Sequence, residues 1–334
     1  MNPQRHLNKL RWIILTIVFS MLVMLPFIYV YQTFLESHSY DLLADSEKQL
    51  FDVMETLTQP LVGSDPENEL DAIKGTTWSG NFFGYMISDP LAGLAQFSAG
   101  FYFHKPLFLA ILIPLVLSLL FGRFYCGWIC PATFLYELNT NIRLLLKRMG
   151  LKVASQRISY SLKYYVLALG ILLSAFFGSV FFASIYPPAI IGRELFYAIA
   201  LGGFGSGMVF FVITLMFDLL VARRGFCRYV CPGGALYSLL GRYRLLRIQR
   251  IVGECNDCAK CNAVCEFGLD PLNDGFGQEC NNCTACIAIC PTDALSFKLQ
   301  MQDGAPQGPG HLGKKYLRTS TELALGEGVL INEP

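Results

Sequence analysis

The chain has 334 residues, of which 53% are hydrophobic and only 15% are charged, and its mean hydropathy is +0.43. Soluble domains are about one quarter charged, so this composition excludes an ordinary soluble protein, and its apolar content excludes a disordered chain. A formal net charge of +1 provides no overall attraction to nucleic acid, while 12 cysteines indicate thiolate chemistry.

Four apolar stretches are long enough to cross the hydrocarbon core of a membrane, which takes about 20 residues. The second stretch is the shortest, but aromatic residues flank it on both sides and extend the span. The first follows three basic residues and has no small-residue cleavage site after it, so we interpret it as a retained anchor rather than a signal peptide. The predicted spans are residues 12–31, 106–121, 162–186 and 195–221.

The segment between the first two spans, residues 32–105, is rich in Asp and Glu and is predicted to lie outside the membrane. Within it, residues 41–57 have apolar positions at helical spacing, which predicts an amphipathic helix. Residues 81–96 are apolar but too short to span, so we expect them to dip into the outer leaflet, where a lipid-soluble substrate has access. The composition of the tail, residues 300–334, predicts a partly disordered or partner-bound extension.

The distribution of Lys and Arg predicts the orientation, because cytoplasmic loops carry an excess of these residues. The N-terminus carries three, residues 123–157 carry six and residues 223–250 carry seven. The alternate segments, residues 32–105 and 187–194, carry three and one. Both termini are therefore predicted to be cytoplasmic, where thiols stay reduced.

A motif of two cysteines and a proline occurs twice, each time after a span predicted to run from outside to inside. Residues 123–138 and 224–239 align at one constant offset, with an Arg, both Cys, the Pro, a Tyr and two Leu identical. This predicts an internal repeat of parallel topology, with spans one and two matching spans three and four. The two motifs contribute four cysteines, which we call the quartet: Cys126, Cys130, Cys227 and Cys231.

Cysteines four positions apart lie on one face of a helix, so the two pairs of the quartet can converge as four thiolates. Such a site suits a redox-active dithiol, copper(I) or another soft metal ion, or an additional iron–sulfur centre. The structural alternative is a set of packed helix-terminal cysteines, with Pro131 and Pro232 kinking or ending the helices. Retention of both thiols in both copies favours a functional site, and the occupant stays open.

Residues 255–290 hold two runs with the spacing Cys-x2-Cys-x2-Cys-x3-Cys, the pattern of a bacterial two-cluster ferredoxin. Three thiolates on a tight loop hold three corners of a cubane, and the fourth reaches the other cluster, so ligation is crossed. Zinc is the alternative, but zinc ribbons do not use two matched runs of this spacing. The predicted ligands are Cys255, Cys258, Cys261 and Cys290 for 4Fe-4S cluster I, and Cys280, Cys283, Cys286 and Cys265 for 4Fe-4S cluster II.

Other candidate residues have weaker signals. His104, at the outer end of the second span, is a weak candidate for a quinone site, and a structural histidine is the preferred interpretation. Asp218 is an ionisable residue in apolar sequence, and its nearness to Arg223 and Arg224 favours an interfacial ion pair over a proton path. The sequence has no Cys-x-x-Cys-His motif and no paired histidines within the spans, so haem is not expected, and no catalytic nucleophile or base is predicted.

The order of paired Cys-x3-Cys-Pro motifs within spans, followed by a double ferredoxin run, resembles the NapH/NosR/CcoG group of bacterial membrane polyferredoxins over residues 11–299. Within that group the chain is most similar to the NapH-type quinol dehydrogenase membrane component. The resemblance implies four spans in the bacterial inner membrane and clusters on the cytoplasmic side. It also implies passage of electrons between the menaquinol or ubiquinol pool and a partner redox protein, such as a ferredoxin-like protein, a cytochrome or a periplasmic reductase subunit.

The predicted fold is an α-helical integral membrane protein of four transmembrane helices in a parallel repeat, with a small α+β ferredoxin domain of the bacterial two-cluster type. The expected function is electron transfer between the quinol pool and a partner of a respiratory reductase through two 4Fe-4S clusters. Two alternatives use the quartet: a copper-ion or thiol reductase that supports metalloenzyme assembly, and a redox-sensing regulator.

The predicted divisions of the chain follow from these features. They are the N-terminus and first span (1–31), the outer segment (32–105), the second span and first motif (106–138), a cytoplasmic loop (139–161), the third span and a short outer loop (162–194), the fourth span and second motif (195–239), the ferredoxin domain (240–299) and the tail (300–334).

Overall fold

Apolar helices pack as a bundle, and a small cysteine-rich domain lies against one end of it. The structure is a computed structural model that describes residues 3–36, 44–62, 80–82, 85–100, 105–151, 153–154, 156, 158–178, 181–273 and 275–300.

The first half of the bundle contains six helices and a two-stranded antiparallel ribbon among its described residues. They are α1 (Leu7–Glu36), α2 (Asp45–Val62), β1 (Gly80–Phe82), β2 (Tyr85–Ile87), α3 (Pro90–Gly100), α4 (Lys105–Phe121), α5 (Phe124–Trp128) and α6 (Pro131–Arg148). The predicted first and second spans correspond to α1 and α4. The predicted amphipathic helix corresponds to α2, and the predicted cytoplasmic loop after the first motif is helical as far as Arg148.

The described residues of the second half form five α-helices. They are α7 (Leu162–Phe177), α8 (Pro187–Ala200), α9 (Ser206–Leu220), α10 (Gly225–Tyr229) and α11 (Pro232–Leu240). Within the described part of the chain, α1 is the one helix long and apolar enough to cross a membrane by itself, and three shorter apolar helices accompany it, namely α4, α7 and α9.

The predicted third and fourth spans are wrong in their bounds. The helix of the third span ends at Phe177 because Gly178 adopts a left-handed conformation (φ 62°). This conformation terminates a helix, and glycine adopts it without the steric penalty that a Cβ atom would bring. The chain then forms a short 3₁₀ turn (Phe181–Ser184) before α8 begins. The fourth is interrupted at residues 201–205, so that α8 and α9 are separate helices.

The same helices begin at matching positions in the two halves. α4 and α9 begin at residues 105 and 206, α5 and α10 begin at 124 and 225, and α6 and α11 begin at 131 and 232. The offset between these pairs is constant and equals that of the two cysteine motifs in the sequence. Two short helices, α3 and α8, precede α4 and α9 in the two halves.

Helix packing leaves a wide apolar surface on the outside of the bundle. α3 and α11 pack against α7, while α1 packs against α6 and α8. Away from these contacts, α7 exposes 83% of Phe176, 68% of Phe177 and 67% of Leu172. An outward face of this kind fits lipid better than water.

The cysteine-rich domain comprises β3 (Leu246–Arg250), α12 (Lys260–Val264), α13 (Ala285–Ile289) and β4 (Leu295–Leu299). Its two strands pair antiparallel, with Leu246 opposite Leu299, and bring together the two ends of the domain. The domain has its own core, separate from that of the bundle. The bundle approaches it closely at Gly127 in α5, where an added Cβ would lie 2.4 Å from the carbonyl oxygen of Asn281.

We predict that Gly127→Ala weakens the docking of the cysteine-rich domain on the bundle. Alanine normally favours a helix over glycine, but here its methyl group would overlap the Asn281 backbone, and overpacking costs about 1–3 kcal/mol. Thermal unfolding of the purified protein in detergent measures the effect. Gly253→Ala is the matched control, because its added methyl group meets no atom within 4 Å. Equal unfolding temperatures for the two variants would contradict the close approach.

Candidate metal centres

The two cysteine runs of the domain share one backbone conformation. Asp257 and Asn282 precede the second cysteine of their runs, Ala259 and Thr284 follow it, and all four have positive φ, between 53° and 63°. A left-handed conformation costs a residue with a Cβ about 1–2 kcal/mol. The repeated conformation turns each loop around its first three cysteines, which is the geometry that a cubane ligand loop requires.

The first thiol group combines residues from both runs. One cavity is lined by three cysteines of the first run and the last cysteine of the second: Cys255, Cys258, Cys261 and Cys290. This is the set that the sequence predicts for cluster I. Burial raises the pKa of the Cys261 thiol to about 12, so a bound cation is needed to hold it as a thiolate at neutral pH.

The second thiol group combines three cysteines of the second run with the last cysteine of the first. Cys283 and Cys286 lie within electrostatic range of Cys280 and also of Cys265, the last cysteine of the first run. Burial raises the pKa of the Cys283 thiol to about 12. These four cysteines are the set predicted for cluster II, and both groups supply the four thiols from two runs that a 4Fe-4S cubane takes.

Within the described ranges, no group of three or more Cys, His, Asp or Glu side chains is already gathered around one metal position. The preference for an iron–sulfur cluster over zinc therefore rests on the spacing of the two cysteine runs.

The four cysteines of the quartet line one enclosed cavity at the centre of the bundle. Cys126 belongs to α5 and Cys227 to α10, whereas Cys130 and Cys231 precede α6 and α11 as their N-caps. The expectation that each pair lies on a single helix is therefore wrong. Proline occupies the first position of α6 and α11, where its missing N–H is tolerated, so each motif is a break between two helices.

Two buried arginines from the motifs join the quartet cavity to the second thiol group. Arg123 lines the cavity and donates to the carboxylate of Glu279, with Nη1 and Oε2 2.8 Å apart. Lys163 also pairs with Glu279, and the Tyr164 hydroxyl donates to it at 2.8 Å. Glu279 directly precedes Cys280, so these contacts fix one edge of the second thiol group against the bundle.

The corresponding arginine of the second motif makes the equivalent contact on the other side. Arg224 Nε lies 2.5 Å from Glu266 Oε2, and Glu266 directly follows Cys265. The ring of Phe267 lies between the two guanidinium groups, 4.7 Å from that of Arg123 and 5.9 Å from that of Arg224. Phe267 also lines the quartet cavity, and it follows Cys265 of the second thiol group by two positions.

Both acids of this junction are ionised at neutral pH. Burial alone would raise the pKa of Glu279, but Arg123 and Lys163 outweigh it and hold the pKa below its ordinary value of 4.5. The pKa of Glu266 is likewise lowered against burial by Arg224 and Arg223. An opposite charge at this distance favours the charged carboxylate.

The N-terminus makes contacts with the cysteine-rich domain that the sequence did not suggest. Arg11 donates to the carbonyl oxygen of Cys283 at 3.3 Å and pairs with Glu137 of α6. Arg5 donates to the carbonyl oxygen of Cys290 and pairs with Asp293 at 2.6 Å. The start of α1 and the cysteine-rich domain therefore lie at the same end of the bundle. A basic N-terminus was the only signal available in the sequence.

Two weaker candidates have different outcomes. His104 lies outside the described residues. Asp218 of α9 is buried, and its Oδ1 accepts a hydrogen bond from the backbone N–H of Phe226 at 2.8 Å. The carboxylate therefore caps the start of α10, and Arg143 binds its backbone oxygen rather than its side chain. The expected interfacial ion pair with Arg223 or Arg224 is not among the ion pairs of the described residues.

The chain matches the family described as "4Fe-4S binding domain" over residues 103–151 and 204–251. The matched stretches contain all four cysteines of the quartet and end before Cys255. No solved structure shows significant similarity to this fold.

Several ferredoxin-type proteins are similar in sequence. The chain is 30% identical to the methylamine utilization ferredoxin-type protein MauN of Methylobacillus flagellatus, over 54% of this chain and 61% of that protein. It is also 30% identical to the ferredoxin-type protein NapH of Escherichia coli (54% and 60%) and of Haemophilus influenzae (56% and 64%). The chain thus spans less than two thirds of the length of these relatives. The chain is thus similar to ferredoxin-type proteins over somewhat more than half of its length, and it carries two stretches that match a 4Fe-4S binding domain.

Proposed function

We propose that this protein is a multi-pass membrane protein that moves single electrons between the quinol pool and a partner redox protein. The observation that carries the proposal is the arrangement of three thiol groups, which follow one another from the interior of the bundle to the cysteine-rich domain. Two arginines that line the quartet cavity pair with the acids beside the second group, and the first and second groups share their cysteine runs. Iron–sulfur clusters in such a row form a one-electron path.

In this proposal the two groups of the cysteine-rich domain hold 4Fe-4S clusters with crossed ligation. Cluster I takes Cys290 with the first run, and cluster II takes Cys265 with the second. The cavity that joins Cys290 to the first run, and the nearness of Cys265 to Cys283, support this assignment. Cys255 and Cys258 of cluster I are only partly buried, which gives a partner redox protein access to that end of the path.

The quartet would hold a third iron–sulfur centre. Its four cysteines lie within the stretches that match a 4Fe-4S binding domain. A cubane with four thiolate ligands is anionic, and the buried guanidinium groups of Arg123 and Arg224 line the cavity and complement that charge. The match to a 4Fe-4S binding domain favours this centre over a copper-reducing site.

The membrane arrangement is proposed from the helices and their contacts. α1, α4, α7 and α9 would cross the bilayer, with α3 and α8 entering it only partway. The matching starts of the helices in the two halves support a parallel repeat. Contacts between the N-terminal residues and the cysteine-rich domain support placing both termini on one side, and the excess of Lys and Arg favours the cytoplasm.

We expect anaerobically purified protein to contain about twelve iron atoms and an equal amount of acid-labile sulfide per chain, as three cubanes require. Cys227→Ser, in the quartet, and Cys258→Ser, in the first run, are each expected to lose about four iron atoms. Electron paramagnetic resonance of the reduced protein assigns the lost signal. If the wild type contains about eight iron atoms and Cys227→Ser contains the same number, the third centre is contradicted and the other two clusters still stand.

We expect a short-chain quinol to bleach the visible absorbance of the clusters under anaerobic conditions, because it donates electrons to the centre in the bundle. Addition of an oxidant is expected to restore the absorbance. The Cys227→Ser variant is expected to be bleached much more slowly by the quinol but equally fast by dithionite, which reaches the exposed clusters directly. Bleaching by dithionite alone in the wild type would contradict the quinol as donor.

We predict that Glu279→Gln destabilises the protein on the order of 3–5 kcal/mol, because two buried cations lose their counter-charge. The pKa of Glu279 is lowered, so its stabilisation is complete above its ordinary value of 4.5 and is lost only as the pH falls through the folded value. Over the range from pH 7 down to about pH 3, the difference between wild type and variant should therefore start at its full value and decline only below about pH 4.5.

Thermal unfolding across that pH range measures this difference. Glu254→Gln is the control, since it removes the same charge from an exposed position of the cysteine-rich domain. A Glu279→Gln variant as stable as Glu254→Gln would show that the ion pairs do not hold the domain in place.

A further inference from the structure

A fully buried carboxyl group lies beside the quartet cavity. Asp89 has no solvent exposure, directly precedes α3 and accepts the backbone N–H of Leu91 at 2.7 Å. Its Oδ2 also accepts a hydrogen bond from the Tyr186 hydroxyl at 3.0 Å, and its Oδ1 accepts one from the Tyr237 hydroxyl at 3.2 Å. Removing a carboxyl from water favours its neutral form, whereas these three donors favour the anion.

The two tyrosines connect this carboxyl to the wall of the quartet cavity. Tyr186 lines the cavity, as does Tyr125, whose ring packs against that of Tyr237 with centroids 5.4 Å apart. The Cys126 thiol is within electrostatic range of Asp89. A change of charge in the cavity therefore acts on the carboxyl through a single layer of side chains.

The repeat places different partners around two equivalent tyrosines. At the constant offset of the motifs, Tyr237 corresponds to Tyr136, whose hydroxyl bonds that of Thr214 at 2.9 Å instead of a carboxylate. A neutral partner thus satisfies the equivalent hydroxyl, so the packing of this tyrosine alone does not require an acid.

Among the residues that the structure describes, the titratable groups named around this acid are the tyrosines above and the quartet thiols. Of the helices that pack against α3, α4 carries only Lys105 at its start. α7 carries Lys163, which is paired with Glu279, and Tyr164 and Tyr165 at the same end. The 3₁₀ turn Phe181–Ser184 and the described part of α3 carry no charged residue.

We propose that Asp89 is the proton acceptor coupled to one-electron reduction of the centre in the quartet cavity, with Tyr186 and Tyr237 as its hydrogen-bonding partners. The inference rests on the proposed function, because it requires an iron–sulfur centre at the quartet. One electron from the donor enters the oxidised cluster, and one proton forms an O–H bond with the carboxylate, so the added negative charge is neutralised locally. A hydroquinone supplies one proton with each electron that it gives up, which matches this stoichiometry.

The test is a redox titration of the quartet centre by electron paramagnetic resonance at a series of pH values. In the wild type we expect the midpoint potential to fall by up to about 59 mV for each tenfold fall in proton concentration. Asp89→Asn keeps an acceptor for the Leu91 N–H and is expected to abolish the dependence. Tyr136→Phe is the matched control from the other half and should retain the wild-type slope.

A second variant provides an independent test in case the Asp89→Asn protein does not fold. Tyr237→Phe removes one donor that favours the anion, so the sloping region is expected to move to higher pH without disappearing. A third centre whose potential does not vary with pH in the wild type, or an equal slope in Asp89→Asn, would overturn this inference and leave the quartet centre in place. Absence of any third centre would overturn the quartet centre and this inference together.

Discussion

Two buried ion pairs, Arg123 with Glu279 and Arg224 with Glu266, determine how the parts of this molecule fit together. Each arginine comes from one copy of the repeated motif, and each acid adjoins a cysteine of the second thiol group. A buried charge is tolerated only when it is paired and hydrogen bonded. The domain can therefore dock on the bundle only in the position that forms both ion pairs. The same two guanidinium groups line the quartet cavity. A single set of contacts therefore positions both the quartet and the second thiol group.

The cysteine chemistry is largely readable from the sequence because its spacing is local. The loop around Asp257 and Ala259 recurs around Asn282 and Thr284 since the same spacing requires the same turns. The breaks in the later helices are not readable in this way. Residues 162–186 and 195–221 are predominantly apolar, and hydropathy carries no information about where an apolar helix stops. Gly178 and the glycines at 202–205 were the available signals, and both were compatible with continuous spans.

The acid beside the quartet shows a different limit. Asp89 and its partners are 97 and 148 positions apart in the chain, and no local pattern links them. Its neighbourhood, residues 81–96, suggested only a dip into one leaflet. The position is informative once the two motifs are aligned, because Tyr136 takes the place of Tyr237 in the other half and bonds Thr214 instead of an acid. Departures from a repeat, rather than the repeat itself, mark the residues that distinguish one half from the other.

The contacts of the first turn of the chain have a consequence for biosynthesis. The side chain of Gln4 accepts the backbone N–H of Phe297 at 2.8 Å, and Arg5 binds the backbone at Cys290. These contacts join residues that are 293 and 285 positions apart in the chain, so their partners are synthesised at different times. The basic turn before α1 therefore cannot make them until β4 has been synthesised. Docking of the cysteine-rich domain on the start of α1 is consequently a late event in folding.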